Sequence, residues 1–232
     1  MTATIHEAPC LITELTTAAE FGDAFRDVFQ SCRGLYENSG LVHGDIRLQN
    51  LKYWKQNGKT RGVLVDLDEM DEKPRKRLKP AQETRPYMSL ELLHPNSPLP
   101  PVHYYRFDLE SLFYAMLFVS CHYHEGKEIA EPERPFEQWL HWRHLGLTEL
   151  YRRKSMFLSF AVVPVPTSNF AGFVELFHYL RKLFRDGYLA QADVRTLECA
   201  GVKSTFDPET LGGRVTFDTF QKILDEHLPS FT

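Results

Sequence analysis

Two short polar segments carry the residue types and the spacing that transfer of a phosphoryl group requires. The first, His43–Asn50, reads H-G-D-I-R-L-Q-N and places Asp45 five residues before Asn50 on a loop. The second, Val65–Asp68, puts the carboxylate of Asp66 at the end of an apolar run. Phosphoryl transfer needs one carboxylate to accept the proton of the attacking hydroxyl, and amide and carboxylate oxygens to hold Mg²⁺ against the phosphates. Asp45 would suit the first task, and Asn50 with Asp66 the second.

A β-hairpin between the two segments is one way to bring them together. Strand-forming residues at 51–54 and 63–65 flank Asn57-Gly58, and Asn-Gly is a strong signal for a tight hairpin turn. The turn would reverse the chain and return the second carboxylate to the first loop. Arg47 would direct a cation toward the same place, where the charge on a transferring phosphoryl group needs a partner.

The remaining elements that must position these loops are predicted to be helices. Thr17 and Glu20 form a capping box, apolar residues then repeat at helical spacing to about Glu37, and Gly40 ends the helix. A second helix is predicted from Asp108, acting as its own N-cap, to about His122. Further helical patterns cover 135–145, 148–160, 169–185, 189–199 and 217–227. We therefore expect a mainly α fold with small β-hairpins, in which the Phe-rich stripe of 169–185 packs into the core.

Composition excludes several classes of protein. The net charge is −4 and the sequence pI is about 6.2, so no basic field points to nucleic acid. No leader peptide is visible, and the longest apolar stretch is about half of a membrane span. The four cysteines are widely spaced, which is typical of a reduced intracellular protein, cytoplasmic or nuclear. The sequence names neither a protein substrate or partner nor an oligomeric state.

These motifs, taken in order, resemble those of a protein kinase. The first loop is similar to the catalytic loop H-R-D-x-x-x-x-N, and Asp66-Leu67-Asp68 to the D-F-G motif. Segment 84–93 (T-R-P-Y-M-S-L-E-L-L) resembles the end of an activation segment, and 106–114 (R-F-D-L-E-S-L-F-Y) the start of the buried central helix of the kinase C-lobe. In detail the segments look most like the fungal-type protein kinase family, over roughly residues 12–160.

The resemblance implies roles for the residues of the catalytic loop. Asp45 would be the catalytic base, Asn50 and Asp66 would hold Mg²⁺ and with it ATP, and Arg47 would occupy the position of a phosphate-contacting Lys. Gly44 stands where many kinases have an Arg that senses a phosphorylated activation loop, which puts that form of regulation in doubt.

Two further acidic residues would be structural by the same resemblance. Glu91, in Ser89-Leu90-Glu91, takes the place of the last residue of A-P-E, and Asp108 would brace the catalytic loop from below. Asp68 stands where D-F-G has its Gly, a change that the fungal-type family tolerates.

The parts of a kinase that grip ATP from above are not recognisable. No G-x-G-x-x-G occurs in the sequence, and no lysine precedes Lys52. We therefore expect a kinase-like C-terminal lobe over 41–232, a leader and helix over 1–40, and an N-terminal lobe that is missing or vestigial. Removing one well-placed electrostatic group costs about 10²–10³ in rate, so this chain alone is predicted to have little or no kinase activity.

Three functions stay open at this point. The chain could be a Ser/Thr-directed fungal-type kinase in truncated or degenerate form, or a non-catalytic kinase-like scaffold that binds a partner. The third is a small-molecule phosphotransferase of the aminoglycoside or choline kinase type, which favours the H-G-D found at His43-Gly44-Asp45.

Two further patterns, a basic run and two pairs of histidines, are weaker signals of function. The basic run 73–79 resembles a nuclear-localisation patch but suits a solvated loop equally. The pairs His122/His124 and His141/His144 lack an obvious third ligand for zinc.

Overall fold

A small antiparallel sheet occupies one end of the molecule. The computed structural model describes residues 8–67, 82–94, 103–160 and 162–229. Strands β1 (Cys10–Leu11), β2 (Leu51–Gln56) and β3 (Lys59–Leu64) form a sheet in the order β1-β2-β3. Asn57 and Gly58 both have positive φ, 51° and 73°, as the predicted hairpin turn requires. The hairpin is confirmed, with strands longer than the sequence indicated.

A long helix packs against this sheet. Helix α1 (Ala18–Ser39) begins after Thr17, whose side chain accepts a hydrogen bond from the Glu20 amide, and ends at Gly40 in the left-handed conformation. Both ends agree with the prediction. At Gly62 on β3, a Cβ would lie 1.9 Å from the backbone oxygen of Ala24. Only glycine therefore allows the hairpin to approach α1 this closely.

The central helix is buried on all sides. Helix α2 (Tyr105–His122) has no exposed or half-exposed residue, which is the mark of a helix surrounded by other elements. The prediction that it starts at Asp108 with that residue as N-cap is wrong, because Asp108 lies in the first turn. Its carboxylate serves the loop described below instead of the helix.

The rest of the chain builds helices around α2. A short hairpin, β4 (Tyr123–His124) with β5 (Lys127–Glu128), leads into α3 (Glu137–Leu140), α4 (Trp142–Leu145) and α5 (Leu147–Ser159). Helices α6 (Val174–Cys199) and α7 (Phe217–His227) follow. The predicted break at Gly187 is wrong. A Cβ there would lie 2.7 Å from the Leu211 side chain, so the glycine permits close packing and the helix continues.

One apolar cluster runs through the described residues from Ile12 to Leu228. Phe170, Phe173, Phe177 and Phe184 belong to it, so the Phe-rich stripe packs into the core as predicted. The fold class is confirmed as mainly helical with two small antiparallel sheets. Residues on both sides of position 40 share the cluster, and the domain boundary placed there stays a prediction. Among the described residues, no helix is both long and apolar enough to cross a membrane.

Candidate active site

The backbone of the loop that begins at His43 is hydrogen-bonded to a side chain of the central helix, α2. The amides of His43 and Gly44 donate to the two carboxylate oxygens of Asp108, over 2.7 and 3.0 Å. Asp108 is buried, and the imidazole of His103 lies 3.3 Å from one of its oxygens. Hydrogen bonds to a buried carboxylate are stronger than those between neutral groups. The predicted brace is thus confirmed, and it fixes where Asp45 emerges.

His43 ties the loop to the end of β3. Its Nδ1 accepts a hydrogen bond from the Asp45 amide over 3.2 Å, so its Nε2 carries the proton and donates to the carbonyl of Val65 over 2.9 Å. The amide of Val65 in turn donates to the carbonyl of Asn50. These links bring Asp66 beside the loop, as the hairpin between them led us to expect.

Asn50 holds the side chain of Asp45 in place. Its side-chain nitrogen donates to the backbone carbonyl of Asp45 over 2.9 Å and to the Asp45 carboxylate over 3.2 Å. Because the nitrogen is used in this way, the amide oxygen of this buried residue is the atom left to accept a cation.

Arg47 lies at the centre of the acidic groups. Its Nε is 3.1 Å from the Asp45 carboxylate, and its two terminal nitrogens are 3.8 Å from Asp66 and 3.9 Å from Glu83. The structure therefore brings all four predicted site residues together, Asp45, Arg47, Asn50 and Asp66. Their chemical roles stay predictions.

Thr84 completes the surroundings of the Asp45 carboxylate, and no side-chain role was predicted for it. Its hydroxyl donates to the Asp45 oxygen that Asn50 and Arg47 leave free. Thr84 is buried at the start of a turn in which the amides of Tyr87 and Met88 donate to its carbonyl. Its place at the head of the 84–93 motif was the available signal, whereas nothing in the sequence pointed to Glu83.

The oxygen donors of this site suit Mg²⁺. Asp66 has a φ of 70°, an uncommon conformation for a residue other than glycine, and its side chain is 41% exposed. Strained backbone of this kind occurs at functional sites. A reachable carboxylate beside an available amide oxygen is a donor set that hard cations prefer.

The other sequence features lie apart from this site. Asp68 and the basic run 73–79 fall outside the described residues. The Nε2 of His122 donates to the carbonyl of Pro135, and burial lowers the pKa of His122, while His124 contacts the side chain of Asn169, so this pair does not converge.

His141 lies with Glu131 and Glu137 instead of with His144. In the part of the chain that is described, this group alone places three potential metal-ligand atoms within 4.8 Å of one another. Arg134 already neutralises Glu137 at 3.3 Å, which disfavours a cation there.

The second acid predicted to be structural, Glu91, pairs with Arg106. The two side chains are 2.5 Å apart, Arg106 also donates to the carbonyl of Pro208, and Gln191 donates to Glu91. Glu91 is therefore structural, as predicted.

Comparison with known proteins agrees with the chemistry of the loop. A model of the fungal protein kinase family matches residues 5–120, a range that spans every predicted site residue and half of the 232-residue chain. No curated protein and no solved structure gives a significant match. This chain belongs to the fungal protein kinase family.

Proposed function

We propose that this chain carries the catalytic-loop side of a protein kinase centre, which transfers a phosphoryl group from MgATP to a Ser or Thr hydroxyl. In this proposal the helices around α2 form a kinase-like C-terminal lobe. The observation that carries the proposal is the convergence of Asp45, Asn50 and Asp66 around Arg47. Family membership supports a protein acceptor over the small-molecule alternative.

Asp45 would accept the proton of the acceptor hydroxyl as that oxygen attacks phosphorus. The carboxylate is 23% exposed, so an acceptor can reach it. Asn50 and Thr84 hold it from two sides, which limits the rotation that would spoil alignment. The proton moves from the acceptor oxygen to the carboxylate, and the bond to the leaving phosphate oxygen breaks.

The amide oxygen of Asn50 and the carboxylate of Asp66 would hold Mg²⁺. When bound, the ion would neutralise and orient the phosphates. Arg47 would face the transferring group, because its guanidinium already lies between the two carboxylates. Planar guanidinium groups match phosphate oxygens well.

We further propose that the chain by itself transfers phosphate weakly or not at all. Its sequence has no G-x-G-x-x-G and no lysine before Lys52. Kinases use these groups to cover and pair the ATP phosphates. Each one lost would lower the rate by about 10²–10³.

A non-catalytic scaffold is the second candidate, and one observation favours it. Arg47 supplies Asp45 and Asp66 with a counter-ion from the protein itself, and Thr84 caps the remaining oxygen of Asp45. A site neutralised in this way needs no metal to be stable.

Thermal unfolding with and without MgATP separates the two candidates. A site filled at 100 times its Kd gains about 2.7 kcal/mol, and the gain should fall in Asp66→Asn but persist in the exposed control Asp23→Asn. No stabilisation at millimolar MgATP would favour the scaffold. Robust phosphotransfer by the purified chain, abolished by Asp45→Ala, would overturn the proposal of weak activity.

A further inference from the structure

A fully buried lysine lies beneath the candidate active site. Lys154 on α5 has no exposed surface, and its Nζ donates to the carbonyl of Met88 over 2.6 Å. The same nitrogen lies 3.7 Å from the centre of the Tyr114 ring and 5.2 Å from that of Trp139. Burying an ammonium group is costly unless other groups compensate for its lost hydration. The site described above makes no use of this residue.

A second buried ionisable side chain, Glu110 on α2, contacts the residues next to Met88. Glu110 is also fully buried, and its charge opposes the lowering of the Lys154 pKa that burial causes. Its carboxylate accepts hydrogen bonds from the amide of Leu90 over 2.9 Å and from the hydroxyl of Ser89 over 2.7 Å. The hydroxyls of Tyr114 and Tyr188 donate to it as well, over 2.7 and 2.6 Å.

Together, the two buried side chains therefore hold three consecutive residues. Lys154 donates to the carbonyl of Met88, and Glu110 accepts from the hydroxyl of Ser89 and the amide of Leu90. Bonds to ionised groups are about twice as strong as neutral ones. Such an arrangement fixes the path of the backbone at 88–90 more firmly than apolar contacts would.

The segment held in this way leads directly to the base. The amide of Met88 donates to the carbonyl of Thr84 over 3.1 Å, which closes the turn that Thr84 begins. The Thr84 hydroxyl then donates to Asp45. A displacement of Met88 would move Thr84 and with it the orientation of the Asp45 carboxylate.

We propose that Lys154 and Glu110 form a buried clamp on residues 88–90 that positions Thr84 against Asp45. The clamp concerns the same site as the proposed function and its catalytic consequence rests on that proposal, whereas its effect on the 84–90 segment does not. Lys154 and Glu110 are positioning residues, since neither reaches the site itself.

A purely structural role would give a different result from a positioning role. If Lys154 only fills the core, its loss weakens the molecule evenly. If it clamps 88–90, its loss frees that segment while the helices stay protected. Hydrogen exchange of backbone amides, read by mass spectrometry, distinguishes the two because it reports opening segment by segment.

The test compares Lys154→Met with Arg181→Met in the full chain. Arg181 is a matched control, because it is a buried cation on α6 that donates to the carbonyl of Phe157 on α5, a residue outside the 84–94 segment. We expect exchange over 84–94 to rise at least about tenfold in Lys154→Met, while exchange over α2 changes little. In Arg181→Met the 84–94 segment should keep its protection. Unchanged exchange in Lys154→Met, or an equal rise in both variants, overturns the clamp.

A milder variant keeps the test decisive if Lys154→Met does not fold. Tyr188→Phe removes one hydroxyl that donates to Glu110 and lies 3.0 Å from Ser89. It should raise exchange over 84–94 by about threefold, and the half-exposed Tyr179→Phe should not. Equal behaviour of these two variants would also overturn the clamp.

Activity supplies an independent reading. Should the wild-type chain transfer phosphate, Lys154→Met should lower kcat with little change in the KM for ATP, because the base is misplaced while the metal ligands stay. If exchange responds as expected and MgATP does not stabilise the wild-type chain, the clamp stands and the proposed MgATP site fails. If MgATP stabilises the chain and exchange does not respond, the clamp fails and the proposed MgATP site stands.

Discussion

The half of the chain that matches the kinase family and the half that follows it contribute different things. Residues 5–120 contain all four predicted site residues, on loops at a partly exposed edge. Beyond 120 lie further groups that support this edge. Lys154 holds Met88, Tyr188 holds Glu110, and the carbonyl of Pro208 accepts from Arg106.

The first half therefore supplies the predicted reactive groups, and the second half contributes to holding them rigidly. An active centre needs its groups held to within a fraction of an ångström by residues that are themselves locked. Here the locking residues lie far along the sequence from the groups they lock. The matched half should therefore not be able to hold its own site.

Removing the second half should have the largest effect. A chain of residues 1–128 loses the buried aromatic and aliphatic side chains of α5, α6 and α7, each of which stabilises the fold by about 1.5–3 kcal/mol. Their sum exceeds the whole stability of a typical domain, about 5–15 kcal/mol. We expect no cooperative thermal transition and no near-ultraviolet circular dichroism. Adding residues 129–232 as a separate chain should restore both, and cooperative unfolding of 1–128 alone would contradict the comparison.

Breaking the ion pair of the first half that Gln191 and Pro208 of the second half contact should have the next largest effect. Glu91→Gln leaves the buried Arg106 without its countercharge, and removing one partner of a buried pair costs about 3–5 kcal/mol. Urea unfolding measures the loss.

The control for this measurement is Glu175→Gln. Glu175 also faces a basic side chain, His227 at 3.6 Å, but is 69% exposed. Its change should stay within about 0.5 kcal/mol. Similar losses in the two variants would show that the Glu91 pair has no special weight.

A smaller loss is expected where the support lies within the matched half. In Asp108→Asn the remaining side-chain oxygen can accept from only one of the two amides, those of His43 and Gly44. The new NH₂ group faces the other amide, which loses its acceptor. One buried donor left unsatisfied costs about 1–3 kcal/mol. Ser111→Ala on the same helix removes only a hydroxyl that donates to a helical carbonyl, and urea unfolding should show a loss below about 1 kcal/mol. A loss in Asp108→Asn no greater than this would contradict the brace.

The sequence was informative where a few neighbouring residues determine the outcome. Thr17 and Gly40 bound α1, and Asn57-Gly58 makes the hairpin turn, because caps and turns depend on local side chains and on φ. The site residues Asp45 and Asn50 could be found for a similar reason, since their spacing lies within one loop.

The sequence was uninformative where distant segments meet. Gly187 was predicted to end a helix, but its role depends on Leu211, which packs against it. The contacts of Thr84 with Asp45, and of Lys154 with Met88, join residues 39 and 66 positions apart. No periodicity reports such contacts, so the support of the site could not be predicted.

The smallest expected effect, taken over one pH unit, is a change in how stability depends on pH. Burial lowers the pKa of Lys154 well below its usual value of 10.5. Between the lowered pKa of the folded state and 10.5, the unfolded chain binds more protons than the folded chain, so stability rises with pH in that window. One group contributes at most about 1.4 kcal/mol per pH unit.

Lys154→Met should remove this contribution, so its free energy of unfolding should rise less with pH than that of the wild type. Urea unfolding from neutral pH to pH 10 measures both slopes. Arg181→Met should keep the wild-type slope, because arginine stays protonated across this range. Parallel curves for the wild type and Lys154→Met would show that the ammonium of Lys154 is as well solvated by Glu110, Met88 and the Tyr114 ring as by water. The clamp would then hold its segment without any cost from burying the charge.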